Sequence, residues 1–357
     1  MKAKNNKFIY LFLLIVTVYL FNVFAYEIES FNARLRNFVA TGNVEIRSFN
    51  DKGLPISSNP NIKGKFISPF YVVHYGLIYS ELYNDNRDEF HWREDSSIEF
   101  WNIPPKENKK DFFKNSANWL IENLDYSFGE AHFIYNFDWN YKGYPEGVLR
   151  KPWWSGLTDA YAIVIMLRAY DVFKDEKYIN AAEALYKSSI KGVKENGSLT
   201  YLNDYKWIEE YVDNKANTNE MAYVLNGMIY STFGIKAYED KFEIEERQTE
   251  DLLKSIEENI SKFDEGEKWS NYDLIGTSCN MKYHKIHVAL MSEMFKISKS
   301  QKFKIKENQW DKGLNNIGYN WIKNSKTGYA KLMYLGELFL IVVFFVFFMF
   351  RKNKFKC

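Results

Sequence analysis

Apolar residues recur at helical spacing in paired segments joined by short polar links, and this pattern constrains the fold more than any other feature. Residues 156–173 carry Leu157, Ala160, Ile163, Met166, Leu167 and Tyr170 at 3.6-residue periodicity. Lys174-Asp175-Glu176-Lys177 reads as a polar turn, and residues 178–190 repeat the pattern with Ala181, Ala182 and Leu185. Similar pairs are expected over 69–83 with 110–124, 220–238 with 243–263, and 283–298 with a more polar partner over 307–324. Repeated antiparallel helix pairs with short links predict a mainly α chain, an (α/α) toroid or barrel with inner helices and loops around a central cleft. A few short β-strands are expected near the N-terminal part, over 38–49 and 131–138, where polar and apolar residues alternate. Residues 84–109, with Pro104-Pro105, read as a charged loop. No Pro/Gly/Ser-rich linker divides the chain, so one main domain is the economical reading.

Charge excludes one class of partner. The chain carries 47 basic and 46 acidic side chains, a net charge of +1, so no overall field gathers nucleic acid. An acidic polysaccharide would need a local basic patch instead. Aromatic residues make up 18% of the chain, including 10 Trp and 26 Tyr. Such rings either line a sugar-binding groove or fill an aromatic core. Two cysteines, Cys279 and Cys357, give neither a disulfide framework nor a Cys-x-x-Cys metal signature. His284 and His287 can share a helix face, but no carboxylate completes a zinc motif beside them, so no metal or other cofactor is expected.

Both ends read as membrane segments. Lys2, Lys4 and Lys7 precede an apolar run over 8–24, and Val23-Phe24-Ala25 offers small residues for cleavage. Residues 1–25 therefore read as either a signal peptide or a retained signal anchor. Residues 334–350 are apolar apart from Glu337 near the outer end, and a basic tail over 351–357 follows. That pattern predicts a transmembrane helix with a cytoplasmic tail, leaving a catalytic domain over 26–330 outside the cytoplasm.

Trp207-Ile208-Glu209-Glu210-Tyr211 sets a tyrosine beside two carboxylates. Tyr272-Asp273-Leu274 and Tyr283-His284-Lys285-Ile286-His287 follow where a loop meets a helix. Inverting C5 of a uronic acid needs a base on one face of the ring, a proton donor on the other, and stabilisation of the enolate between them. Tyrosine places a proton at the end of a rigid arm. Its ordinary pKa of ~10 then requires depression or pairing with a base. Glu210 beside Tyr211, and His284 or His287 beside Tyr283, are candidates for that pairing. Each residue alone is as readily structural. Glu210 can be a solvated charge, His284 and His287 core histidines, Asn226-Gly227 a helix crossing, and Trp153-Trp154 a packing plug.

Together these segments resemble the C-terminal domain of the heparosan glucuronyl C5-epimerase family. Trp207 to Tyr211 is similar to its Trp-x-Glu-Glu-Tyr, and Val224-Leu225-Asn226-Gly227 to the motif that follows. Tyr272-Asp273-Leu274 and Tyr283-His284-x-x-His287 are similar to its two later tyrosine motifs. Trp154-Ser155 with Arg168-Ala169-Tyr170 is similar to its first toroid helix, and Ser68-Pro69-Phe70 through Tyr75-Gly76-Leu77 to its leading segment. The resemblance covers roughly residues 66 to 298. It implies an (α/α) barrel with no metal in the chemistry and glucuronate-to-iduronate inversion in a glycosaminoglycan-type chain. It puts catalytic roles on Tyr211, Tyr272, Tyr283 and Glu210, and substrate-binding roles on Trp154, Asn226, His284 and His287. It also implies a possible homodimer. The family's Tyr-Asp-Leu continues with Arg, but here with Ile275, which removes one contact to an acidic substrate. The extra β-sheet domain of the animal enzymes gives way here to a short loop.

Three other functions compete. A uronan lyase shares the first proton abstraction. A glycoside hydrolase needs two opposed carboxylates, with Asp159, Glu210, Glu220 and Asp273 available. A membrane-anchored glycan-binding protein needs only the aromatic rings.

Overall fold

The computed structural model describes residues 2–44, 47–59, 62–84, 107–141, 144, 147–213, 221–326 and 328–351. Helices dominate: α1 (Lys2–Val23), α2 (Ala25–Thr41), α3 (Pro69–Asn84), α4 (Lys109–Glu122), α5 (Gly156–Phe173) and α6 (Glu176–Ile190). Then come α7 (Leu225–Lys241), α8 (Gln248–Asn259), α9 (Met281–Ser298), α10 (Gln301–Leu314), α11 (Ile317–Asn324) and α12 (Tyr329–Phe350). The pairs α3–α4, α5–α6, α7–α8 and α9–α10 pack as hairpins. Within them α5 lies against both α3 and α7, and α7 lies against α9. Thus α3, α5, α7 and α9 form an inner layer and their partners an outer one. This is the mainly α, α/α toroid architecture that the helical periodicity predicts.

Local chemistry fixes the helix ends. Ser155 caps α5 by accepting from the Thr158 amide at 3.2 Å, and Asp175 caps α6 by accepting from the Lys177 amide at 3.1 Å. The polar link between them is only two residues, Lys174 in the left-handed region and Asp175 extended. Asn280 caps α9 through the Tyr283 amide at 2.9 Å, which sets the register of that helix at its first turn. From Gly156 to Leu167 every residue of α5 is buried, as expected of a helix with neighbours on all sides. Gly234 lets α7 approach α5: a Cβ there would lie 1.8 Å from the Ala160 carbonyl oxygen. Trp207, Trp269 and Trp310 are fully buried, and burial of side chains this large stabilises by roughly 2–3 kcal/mol each.

The strands are short. A three-stranded antiparallel sheet, β1 (Arg47–Phe49), β2 (Pro55–Asn59) and β3 (Ile62–Phe66), precedes the helix pairs. A second joins β4 (Ile134–Tyr135), β7 (Trp153–Trp154) and β10 (Val212–Asp213), with β7 in the centre. Two-stranded ribbons are made by β5 (Trp139–Asn140) with β6 (Val148–Leu149), β8 (Leu199–Leu202) with β9 (Tyr205–Ile208), and β11 (Asp264–Glu265) with β12 (Trp269–Ser270).

Three expectations are revised. Residues 38–41 finish α2 rather than begin a strand. Strands extend to Ser270 rather than staying near the N-terminal part. The helix expected over 307–324 breaks between α10 and α11, where Asn320 Nδ2 donates to the carbonyls of Gly313 and Asn315 at 3.1 and 2.7 Å. Most of the loop expected over 84–109, including Pro104-Pro105, lies outside the described residues, as does Glu220.

Candidate active site

The N-terminal turns of the four inner helices converge on one cleft of ≈ 220 Å³. It is lined by Phe70 and Tyr71 of α3, Leu157 and Thr158 of α5, Asn226 and Tyr230 of α7, and Tyr283 and Ile286 of α9. Four helix N-termini aimed at one space favour an anion there. Glu210 and Tyr211 reach it from the segment linking β9 to β10, and Trp153 and Tyr135 from the central sheet.

Glu210, Tyr211, Tyr272 and Tyr283 come together. Tyr272 donates to Glu210 Oε1 at 3.3 Å, and its hydroxyl lies 2.9 Å from that of Tyr211. Tyr211 also bonds to Glu210. The rings of Tyr272 and Tyr283 meet edge to face at 4.7 Å. Tyr211 and Tyr283 line the cleft, whereas Tyr272 stands behind Tyr211. The backbone holds Tyr272 there: its amide donates to the Thr277 carbonyl at 2.8 Å and its carbonyl accepts from the Leu225 amide at 3.1 Å. Asp273 binds the Tyr141 hydroxyl and the Thr277 amide, and the Tyr141 ring packs 5.1 Å from that of Tyr211.

Burial dominates the electrostatics. It raises the Glu210 carboxyl to about 7, with the hydrogen bonds from Tyr211 and Tyr272 opposing it and Asp273 adding to it. Glu209, turned away from the cleft onto the Tyr223 amide, is raised to about 8, chiefly by burial. The hydroxyls of Tyr211, Tyr272 and Tyr283 are held above the usual tyrosine range by burial, with the Glu210 charge contributing. Of the two alternatives, depression or pairing with a base, the structure has the pairing: Tyr211 and Tyr272 both bond to Glu210, whose carboxyl is raised to about 7. Glu210 is no solvated charge. Its Oε2 and the Asn226 Oδ1 are buried without a hydrogen-bond partner, and both residues line the cleft. Buried polar atoms left without a partner are rare, and these two belong to residues of one cleft wall.

Three residues expected to bind substrate lie elsewhere. Strand alternation separates the two tryptophans of β7. Trp153 faces the cleft, stacked on Tyr135 at 4.1 Å, and gives its indole N–H to the Phe137 carbonyl at 2.8 Å. Trp154 is on the opposite face, fully buried and stacked on His132 at 4.5 Å. His284 and His287 share a face of α9, as their spacing allows, but that face turns into the core. His284 Nδ1 lies 2.9 Å from Ser270 Oγ and its Nε2 3.1 Å from the Trp310 carbonyl. His287 Nδ1 lies 3.0 Å from Ser270 Oγ. Burial lowers both imidazoles to about 3, so they stay neutral.

No motif or local pattern points to Arg47. It lies on β1, paired in register with Ser57, and its guanidinium sits 3.3 Å from the centre of the Tyr71 ring. It is the cation among the described lining residues. Ile275, in the place of the family's arginine, packs into a hydrophobic cluster instead. Of the carboxylates considered for a hydrolase, Asp159 is buried against His132 at 2.7 Å and Asp273 is bound to Tyr141. Among the described residues, Glu210 is the one that lines the cleft.

Residues 129–312, just over half of the chain, match the family described as D-glucuronyl C5-epimerase C-terminus. An uncharacterized protein of Methanocaldococcus jannaschii is 31% identical over 160 residues, which is 43% of this chain and 48% of that protein. The D-glucuronyl C5-epimerase of Caenorhabditis elegans is 26% identical over 200 residues, 50% of this chain and 30% of that enzyme. The aligned region is thus less than half the length of either relative. Among solved structures, a GH76 α-mannanase of Bacteroides thetaiotaomicron has a TM-score of 0.44 at 10% identity, covering 91% of this chain and 85% of its own. An unsaturated glucuronyl hydrolase of Streptococcus agalactiae has a TM-score of 0.42 at 14% identity, covering 87% and 82%. The matched region carries Glu210, Tyr211, Tyr272 and Tyr283, and by that match the chain belongs to the D-glucuronyl C5-epimerase family.

Proposed function

We propose that the cleft inverts C5 of uronate residues, glucuronate to iduronate, within an acidic polysaccharide. The observation that carries this reading is the hydrogen-bonded set of Glu210, Tyr272 and Tyr211 on one side of a cleft whose α9 side presents Tyr283. A base titrating near 7 suits proton abstraction at neutral pH better than a phenol held above 10. In the proposed step the C5 proton passes to the Tyr211 oxygen as the Tyr211 proton moves to Glu210, directly or through Tyr272. The electron pair left on C5 delocalises into the uronate carboxylate. Arg47 and the inner-helix N-termini stabilise the resulting enediolate. Tyr283 then gives its hydroxyl proton to the other face of C5, and the cycle closes as solvent reprotonates the Tyr283 oxygen and Glu210 releases its proton. No bond of the polymer breaks. The reverse reaction exchanges the roles of Tyr211 and Tyr283.

The aromatic lining of Trp153, Tyr135 and Tyr71 suits the flat faces of a sugar ring. We read the chain as membrane-anchored with the cleft outside the cytoplasm. The test is incorporation of deuterium from heavy water at C5 of heparosan and a panel of other uronans, followed by NMR with the full chain in detergent. Incorporation without chain cleavage supports the epimerase. Incorporation with an unsaturated, ultraviolet-absorbing end makes it a lyase. Polymer binding with no incorporation on any uronan leaves a glycan-binding protein.

A further inference from the structure

The helix α2 is amphipathic in the wrong sense for a soluble protein. Its buried face carries Glu29, Ser30, Asn32 and Asn37. Its exposed face carries Phe31, Leu35, Phe38 and Val39, which are 66%, 41%, 48% and 79% exposed, with the exposed charges of Glu27 and Arg34 along one border. The buried polar side chains have work to do. Glu29 pairs with Arg36, and Asn32 Nδ2 donates to Glu337 Oε2 of α12 at 3.0 Å. Glu337 is the acidic residue of α12, and α2 covers it. The apolar side chains, at i, i+4, i+7 and i+8, form one stripe.

This stripe continues into two longer apolar surfaces. α12 is long and apolar enough to cross a membrane, and almost none of it is buried. α1 packs against it in antiparallel fashion: Tyr10 meets Phe348 at 6.1 Å, Phe21 meets Tyr334 at 4.7 Å, and Lys7 lies 5.0 Å from the Phe350 ring. Lys7 and Arg351 thus sit at the same end of the pair, the arrangement expected for one cytoplasmic end. At the other end α1 turns into α2 through a bend of 70°. If α1 stands along the membrane normal, α2 runs close to the membrane plane.

The end of α1 and the start of α2 also complete the folded domain. Asn22 Oδ1 accepts from the Tyr319 amide at 2.7 Å, capping α11, and its Nδ2 donates to Asn316 at 3.1 Å. The Phe21 carbonyl accepts from the Tyr334 hydroxyl at 3.2 Å, and Ala25 packs against Gly318. Tyr26 is buried under the Lys285 ammonium, 3.6 Å from the ring centre, two residues along α9 from Tyr283. One hydrophobic cluster includes Tyr26, Tyr272, Trp321 and Tyr334, with Phe21 and Tyr283 packed on it. Cleavage after Ala25 would strip partners from this cluster.

We propose that α1, α2 and α12 form a single membrane platform. α1 stays attached and pairs with α12 across the bilayer, and α2 lies in the headgroup–acyl boundary on its Phe31, Leu35, Phe38 and Val39 face. The dimensions agree. Glu337 to Phe350 spans ~20 Å of helix. An interfacial helix buried ~5–10 Å brings the total to ~25–30 Å, close to the ~30 Å of a hydrocarbon core. The occupant of the α2 stripe is lipid, because the stripe is continuous with two helices of membrane composition, the polar Glu29, Ser30, Asn32 and Asn37 face the protein, and the charges bordering the stripe, Glu27 and Arg34, suit a headgroup boundary. The cleft is then held rigidly above the outer leaflet. This inference does not depend on the reaction the cleft performs.

Three measurements on the full chain test it. The intact mass of protein purified from membranes should retain residues 2–25; a species beginning at Tyr26 overturns the proposal. With Cys357→Ser, oxidation of Tyr10→Cys/Phe348→Cys should abolish maleimide labelling reversibly, whereas Tyr10→Cys/Phe339→Cys should remain labelled. Labelling of both pairs overturns the helix pairing. Native Cys279 is buried and does not interfere. Single spin labels along residues 30–40, in phosphatidylcholine–phosphatidylglycerol vesicles, should show oxygen collision exceeding that of a water-soluble nickel chelate at 31, 35, 38 and 39. Nickel access equal to that of an exposed loop at those positions overturns the interfacial helix. Protection of the stripe by dimerisation in detergent also overturns it, in favour of a second copy of the chain.

Discussion

Glu210 occupies the space that a side chain at position 227 would need. A Cβ added to Gly227 would lie 2.4 Å from Glu210 Oε2 and 2.8 Å from its Cβ. The helix α7 therefore holds the carboxylate in place by lacking a side chain at one position. Gly227→Ala should displace Glu210 from Tyr272, lowering the rate of C5 exchange at least ten-fold. The clash should also cost about 1–3 kcal/mol of stability. Exchange rate and thermal unfolding, measured on the same preparation, check both. An unchanged rate would show that Glu210 does not need this position.

The raised carboxyls give two pH dependences of opposite sign. In the proposed reaction Glu210 must be ionised to act as the base, so exchange should rise with pH and level off above about 7. Glu210→Gln should lower the rate by about 10²–10⁴-fold. For stability, the folded state holds its protons at Glu210 and Glu209 to about 7 and 8, whereas the unfolded chain releases them near 4.5. Folding is then progressively penalised between pH ~4.5 and ~8 because the folded state binds more protons. Glu209→Gln removes part of that penalty while keeping an acceptor for the Tyr223 amide. Its unfolding temperature should exceed that of the parent at pH 8 and match it near pH 4.

The helix pairs were legible because their apolar periodicity and caps are local. Ser155, Asp175 and Asn280 each close a helix start within three residues of themselves. The four residues Glu210, Tyr211, Tyr272 and Tyr283 were legible as a set, and their convergence depends on the packing of α7 and α9. What sequence could not supply was facing. Adjacent Trp153 and Trp154 differ only in which side of a two-residue strand they leave, and partner strands set that choice. His284 and His287 point to the core because Ser270 and the Trp310 carbonyl wait there, far along the chain. Arg47 reaches the cleft through a sheet that pairs only with itself and packs on α3, which no local pattern announces.

Arg47 supplies the guanidinium among the described residues that line the cleft, where the proposed reaction places a uronate carboxylate. Arg47→Gln should raise KM for a uronan about ten- to hundred-fold, the equivalent of the ~1.5–3 kcal/mol of a charged hydrogen bond. Arg47→Lys should recover only part of this, because an ammonium lacks the planar fork and stacks less well on Tyr71. Progress curves over a range of polymer concentrations separate KM from kcat. Equal KM in all three proteins would remove Arg47 from carboxylate binding.

The two tryptophans should separate cleanly. Trp153→Ala removes a ring from the cleft wall and should weaken polymer binding by about ten-fold or more, consistent with ~1–3 kcal/mol for a hydrophobic contact with ligand. Trp154→Phe and His287→Ala alter only the core and should lower the unfolding temperature while leaving polymer affinity unchanged. Equilibrium binding and calorimetry on the three variants decide this. An affinity loss at Trp154 matching that at Trp153 would show that strand facing does not control the site.

The tyrosines should differ in rank, although all three belong to one hydrogen-bonded and ring-packed group. Tyr211 and Tyr283 line the cleft, so if they are the proton carriers of the proposed reaction, either change to Phe should abolish C5 exchange. Tyr272 stands behind Tyr211 and reaches Glu210 at 3.3 Å. Tyr272→Phe removes one of the two hydrogen bonds that hold down the Glu210 pKa. It should therefore slow exchange at pH 7 while moving the rising limb of the pH profile upward, so that activity partly returns at pH 8. Polymer binding should persist in all three variants, because each keeps its ring. A Tyr272→Phe enzyme as dead as Tyr211→Phe at every pH would put Tyr272 itself against the substrate and reverse the order in which the two hydroxyls carry the proton.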